Sequence, residues 1–339
     1  NYPDPTREFT KRGFRMNGTT WLDRTNYFVS FTANDDNMRW ALGWSADAMV
    51  NSNIAKKDLD TEMTVVRNEY EMGENKPVSV MVKRMQGILF DWHAYGRNTI
   101  GARSDIENVP IENLQAFYHK WYQPDNAVLT VSGKFDETKV LTWITETFGK
   151  IPRPTRVLPA EWTVEPVADG PRYFEIRRPG ESQLVAVGYR IPSAIAADNN
   201  AVETAVDVLS SAPRGRLYKA LVETGMAGQV FGWAMSAKCP SFVMFGAMVK
   251  KGDDIERVKN VLIDTVENAF KKTPADETEV GLSLAEAATD FERTLSDPEE
   301  FAVELSDYIS LGDWRLYFYD RDATAKVTPA DVNKAAATY

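Results

Sequence analysis

Cysteine and histidine are almost missing from this sequence of 339 residues: there is one cysteine, Cys239, and two histidines, His93 and His119. A single cysteine excludes any intrachain disulfide, and two histidines cannot build a three-histidine metal site, so a metal here needs carboxylates or ligands from elsewhere. No apolar run approaches the roughly 18 residues of a membrane span, and no transmembrane segment is expected. Positive charge is not in excess either: 39 basic residues face 49 acidic ones, for a net charge of −10. A phosphate backbone or an anionic membrane is repelled on average, and nucleic acid is not an expected partner. His-x-x-Glu-His, His-Glu-x-x-His, Gly-x-Ser-x-Gly, the Walker loop and Cys-x-x-Cys are all absent. A catalytic triad therefore has no credible base. Gly13, Gly18, Gly43, Gly96 and Gly101 read as turn glycines, since none lies between a strand and a helix at dinucleotide spacing.

Both ends read as breaks. Asn1 opens the chain without methionine, charged n-region or apolar h-region, and the stretch from Val332 to Tyr339 stops within a helix-favouring run.

What is present suits two packed cores of roughly 150 residues each: 43% of residues are hydrophobic and 26% charged. Residues 25–32 alternate and are rich in β-branched and aromatic side chains, which predicts a strand. Helical spacing predicts helices over 36–51, behind Asn34, Asp35 and Asp36 as candidate caps, over 56–72 and 78–93 around Gly73 and Pro77, and over 111–122. Residues 127–132 read as a short apolar strand closed by Gly133, and 137–148 as a helix. Pro152, Pro154 and Pro159 then forbid regular structure. Beyond them the pattern predicts strands at 173–177, 184–191, 230–237 and 242–249, and helices at 199–211, 216–224, 254–272, 274–295 and 298–312. The expected fold class is α+β: two similar domains, each a mostly antiparallel sheet with helices on one face. Their expected bounds are 1–152 and 166–339, joined by a proline-rich linker over 153–165.

Glu62 and Glu69 stand seven residues apart on the helix predicted over 56–72, nearly two full turns, so both carboxylates share one face. Such a pair can bind a cation or carry a proton, or it can be a solvated face with Arg67 and Arg84 as partners. Met63, Val65 and Val66 mark the helix as partly buried. His93 and His119 read as packed, hydrogen-bonded histidines.

The run Glu62-Met-Thr-Val-Val-Arg-Asn-Glu69-Tyr-Glu resembles a signature helix of the pitrilysin/insulinase family of inverted zinc metallopeptidases, which includes the mitochondrial processing peptidase. Three further stretches resemble that family in the same order. They are Asn17-Gly-Thr-Thr20 ahead of Thr25-Asn-Tyr27, then Tyr95-Gly-Arg-Asn-Thr-Ile-Gly101, then Trp121-Tyr-Gln-Pro-Asp-Asn126 leading to Val131-Ser-Gly133. The resemblance runs nearly end to end. It departs from the family in lacking His-x-x-Glu-His, which by the family's spacing would fall about eight positions before Asn1.

The resemblance implies a zinc-dependent endopeptidase in which Glu69 is a zinc ligand and Glu62 supports that ligand from behind as a catalytic residue. Asn17, Gly18, Thr19 and Thr20 would form an edge strand on which an extended peptide substrate adds as a further strand. Gly18 stands where the family has alanine. The cofactor implied is Zn²⁺ in the complete enzyme, with none bound by this chain, which is expected to be inactive alone. The family's non-catalytic halves carry an arginine and a tyrosine that hold the substrate carbonyl. Val222 and Gln229 occupy those positions here. The chain thus resembles the zinc-bearing half, and a second, non-catalytic half, on the same polypeptide or a separate subunit, is the implied partner. The alternatives are a non-catalytic scaffold subunit of the same fold and a peptide-binding module without cleavage. Of a bacterial periplasm, a cytoplasm and an organelle, the periplasm is favoured.

Overall fold

The computed structural model describes residues 5–339. Asn1, where the sequence reads as a break, lies outside them. The chain runs α1 (Pro5–Arg12), β1 (Arg15–Thr20), β2 (Thr25–Ser30), α2 (Asp35–Asn51), α3 (Lys56–Glu74), α4 (Pro77–Leu89), α5 (Arg103–Asn108), α6 (Ile111–Trp121) and α7 (Glu137–Glu146). It continues with β3 (Ser182–Ile191), α8 (Asn199–Ser210), a π-helical turn at Tyr218–Val222, β4 (Gln229–Met235) and β5 (Ser241–Lys250). Four helices and a last one follow: α9 (Ile255–Lys272), α10 (Glu277–Ser296), α11 (Pro298–Leu311), α12 (Leu316–Thr324) and α13 (Pro329–Thr338). The class is α+β, with antiparallel sheets in the orders β1-β2 and β3-β5-β4.

Two compact units divide the chain. One comprises the described part of Asn1–Gly73 with Thr99–Trp162 and Leu295–Asp307; the other comprises Glu74–Asn98, Thr163–Thr294 and Tyr308–Tyr339.

In the first unit, α2 starts where Asn34 Oδ1 accepts the N–H of Asn37, so one orphan helix donor is satisfied at the cap. An aromatic cluster holds the base of the β1–β2 hairpin: Phe9, Phe14 and Ala41 are buried against Val29, Phe31, Trp40 and Trp44. Phe14 stacks on Phe31 with ring centroids 4.6 Å apart.

In the second unit, β5 is the central strand and is buried on both faces. Val243, Phe245, Ala247 and Val249 join the core formed with α8 and α9, because alternate side chains of a strand share one face. On the other face, a Cβ at Gly188 of β3 would meet the α4 side chains of Met85 at 2.5 Å and Leu89 at 3.4 Å. Glycine is what lets α4 approach β3 this closely. Val222 ends the π-helical turn and Gln229 opens β4.

Two expected strands are not formed. Residues 127–132 and 173–177 have no regular structure, and Val128 (67%) and Tyr173 (86%) are exposed. Both have strand composition, but among the described residues neither has a neighbouring strand to complete a ladder, and β-propensity without a ladder does not make a strand. The irregular stretch around the prolines is longer than the prolines require, covering residues 151–181.

Candidate functional site

The β1–β2 hairpin is closed by the Trp21 N–H, which donates to the Arg24 carbonyl at 2.9 Å. That bond fixes the register Thr20↔Thr25, Thr19↔Asn26, Gly18↔Tyr27, Asn17↔Phe28 and Met16↔Val29. Backbone groups of successive residues alternate sides in an antiparallel pair, so Arg15, Asn17 and Thr19 turn theirs toward β2 while Met16, Gly18 and Thr20 turn theirs outward. Among the described residues no strand pairs with that outer edge. An unpaired row of this kind is a template for another extended chain.

The hairpin is anchored from α11, within the same unit. Asn26 Oδ1 accepts the backbone N–H of Thr19 at 3.0 Å and its hydroxyl at 2.7 Å, and Asn26 Nδ2 donates to Ser306 Oγ at 2.9 Å. Arg24, whose side chain is 13% exposed, donates from Nη1 to Thr19 Oγ1 at 2.6 Å. Its Nε and Nη2 reach the two oxygens of Asp307, a two-pronged guanidinium–carboxylate pair. Arg15 pairs with Glu299 at 2.9 Å. The pairing of Arg24 with Asp307 and of Asn26 with Ser306 has no local signal, because the partners lie about 280 positions apart.

Gly18 is fitted closely. A Cβ there would lie 2.9 Å from the Asn26 carbonyl oxygen and 3.2 Å from Cδ1 of Tyr27, whose ring lies across the glycine. Tyr27 in turn shares a 2.6 Å hydrogen bond with Tyr122, whose hydroxyl titrates well above the usual tyrosine range because it is buried and bonded to Tyr27. Asn17 accepts the Gly18 N–H on its Oδ1 at 2.8 Å.

Glu62 and Glu69 lie on α3 as the spacing requires, and both are exposed. The expectation of a partly buried helix is met only in part: Leu59 is the buried residue of α3, Met63 and Val66 are half-buried, and Val65 is exposed. Arg67 pairs with Glu71 rather than with either glutamate. Seven residues at about 1.5 Å each separate the two carboxylates by about 10 Å along the axis, too far for both to ligate one ion. Among the described residues no three histidine, cysteine, aspartate or glutamate side chains gather where one metal ion could be held. Zinc takes four ligands. The residues described here offer it at most one at Glu69 and do not fit it by themselves.

His93 is packed and hydrogen-bonded as expected, its Nδ1 accepting the Tyr95 N–H at 3.2 Å with the two rings 4.2 Å apart. His119 is exposed instead, at the rim of an open cleft of about 450 Å³ lined also by Asn51, Asn53 and Gln115.

Glu165 forms a second polar constellation that the sequence did not signal. Its side chain is 7% exposed. It accepts the consecutive N–H groups of Asp91, Trp92 and His93 at 2.6, 3.0 and 2.7 Å, and Nη2 of Arg190 at 2.6 Å. Burial alone would raise its pKa, but these donors outweigh it and hold the carboxyl at about 2.

A family model described as Insulinase (Peptidase family M16) matches residues 2–103, and one described as Peptidase M16 inactive domain matches residues 108–283. The sequence is 24% identical over 314 residues to the zinc protease PqqE of Helicobacter pylori, covering 90% of this chain and 70% of that protein. It is 25% identical over 221 residues to an uncharacterized zinc protease of Mycobacterium tuberculosis, covering 65% of this chain and 50% of that one. The crystal structure of a protease from Helicobacter pylori shares the fold, with a TM-score of 0.91 at 23% identity over 98% of this chain and 80% of that chain.

Proposed function

Because the chain belongs to peptidase family M16, the insulinase family, we propose that it binds extended peptides along the outer edge of β1 and contributes Glu69 to the zinc site of a complete endopeptidase. The observation that carries this reading is the outer edge at Met16, Gly18 and Thr20, on which no strand pairs among the described residues and which is held by the anchors on Asn26 and Arg24. Strand addition recognises backbone groups and selects extended chains over folded ones. Thr19 is fixed by its bonds toward β2, which keeps the strand straight for a partner. Glu62 and Glu69, both exposed on one face of α3, are free to turn toward ligands from outside these residues. The remaining zinc ligands and the general base come from outside this chain, and a second half carrying an arginine and a tyrosine completes the substrate site. No hydrolytic step is assigned to the 339 residues alone.

Two measurements test this. An extended peptide is compared with the same peptide N-methylated at alternate residues. Methylation in one register should abolish binding and in the other leave it intact; equal binding of all forms overturns strand addition. In the complete protein, Glu69→Gln should remove bound zinc and peptidase activity while leaving the fold in place. Retained zinc refutes the ligand role, and a complete protein that neither binds peptide nor holds zinc is a scaffold subunit.

A further inference from the structure

We infer that the Asn17 carboxamide is a gate on the edge strand: it occupies the outward N–H of Gly18 until an incoming peptide carbonyl displaces it. The inference rests on the strand-addition reading above. The register turns the Gly18 N–H away from β2, and Asn17 Oδ1 accepts it at 2.8 Å. Among the described residues, the other two outward amides, those of Met16 and Thr20, have no side-chain acceptor. The carboxamide oxygen has the same chemistry as a peptide carbonyl, so it stands in for the one that strand addition would bring.

The surroundings suit a gate rather than a permanent bond. Asn17 is exposed, so its amide can turn into water and be hydrated there at little cost. Gly18 is packed closely on β2, where a methyl group would meet the Asn26 carbonyl oxygen at 2.9 Å, and the ladder holds its strand in register. The moving part is therefore the side chain and not the strand. A capped edge also resists pairing with stray strands, a general hazard of unpaired edges. The occupant that opens the gate is an extended peptide whose backbone carbonyl falls opposite Gly18.

The test reads amide hydrogen exchange at Gly18, as a protection factor, and the affinity of an extended peptide, in the 339-residue chain and in its Asn17→Ala and Asn17→Asp variants. The gate predicts that Gly18 loses about two- to tenfold of its protection in Asn17→Ala. It predicts that Asn17→Asp, whose charged acceptor holds the N–H more firmly, binds the peptide several-fold more weakly than wild type, while Asn17→Ala binds at least as tightly. Unchanged Gly18 protection in Asn17→Ala, with peptide binding intact, overturns the gate alone. Weaker binding by Asn17→Ala makes Asn17 a substrate contact and overturns it too. Absence of peptide binding in all three proteins overturns the strand-addition reading and the gate with it.

Discussion

Asn26 holds Thr19 twice, accepting both its backbone N–H and its hydroxyl, while its own Nδ2 is tied to Ser306 of α11. The residue that sets the geometry of the edge strand is thus on the neighbouring strand and not on the edge itself. Replacing Asn26 with alanine leaves the part-buried Thr19 hydroxyl without its acceptor and takes the side-chain acceptor from the Thr19 N–H, which keeps only the ladder. The expected loss is about 1–3 kcal/mol of stability, seen as a lower urea midpoint. An unchanged midpoint would mean that the hairpin is held by its ladder alone.

Gly18 stands where the resemblance leads one to expect alanine, and the 2.9 Å approach of the Asn26 carbonyl oxygen gives the reason in this chain. The atom in the way is backbone and cannot swing aside. Gly18→Ala should therefore destabilise by about 1–3 kcal/mol and weaken peptide binding at the edge. Calorimetric unfolding of the variant checks this, and a transition at the wild-type temperature would show that β1 has more room than its register implies.

Glu165 makes a prediction about acid. Its carboxyl titrates at about 2 in the fold, against 4.5 for a free glutamate, so the folded state prefers the ionised form. Its contribution, on the order of 3 kcal/mol, is fully present above about pH 4.5 and is lost as the pH falls toward 2. Glu165→Gln removes that dependence. The stability gap between wild type and variant, measured by urea unfolding at several pH values, should be wide at pH 7 and close between about pH 4.5 and 2. A gap independent of pH would place the contribution in shape and not in charge.

With one carboxylate ligand available at Glu69, the 339-residue chain should hold no stoichiometric zinc after dialysis and hydrolyse no peptide. Metal analysis of the purified chain decides this. One tightly held zinc per chain would require a ligand set that the described residues do not bring together.

The parts of this fold that were legible in the sequence are those where local pattern and tertiary structure agree. Helices α2, α3, α6 and α9 and strands β2, β3 and β5 follow their apolar periodicity, because their inward positions recur at the helical or strand period, as Leu59, Met63 and Val66 do on α3, while β5 is buried on both faces. The Glu62 and Glu69 spacing was readable because helical geometry fixes it. Strand β1, Arg-Met-Asn-Gly-Thr-Thr, has almost no apolar content and was found through family resemblance only. Residues 127–132 failed in the opposite way, with the composition of a strand and no partner. The short helices α1, α5 and α12 gave too few turns for a period to stand out. The anchors Asn26–Ser306 and Arg24–Asp307, and the bonds of Glu165 to Asp91, Trp92 and His93, depend on residues 72 to 283 positions apart, and no local pattern encodes them.

The central claim is that the outer edge of β1 receives an extended peptide as a new strand. Amide hydrogen exchange along residues 15–20, with and without saturating peptide, tests it most directly. The account predicts protection gained at alternate positions, Met16, Gly18 and Thr20, with Asn17 and Thr19 unchanged because their N–H groups already face β2. Protection gained equally at all six positions, or at none while the peptide binds, would contradict it.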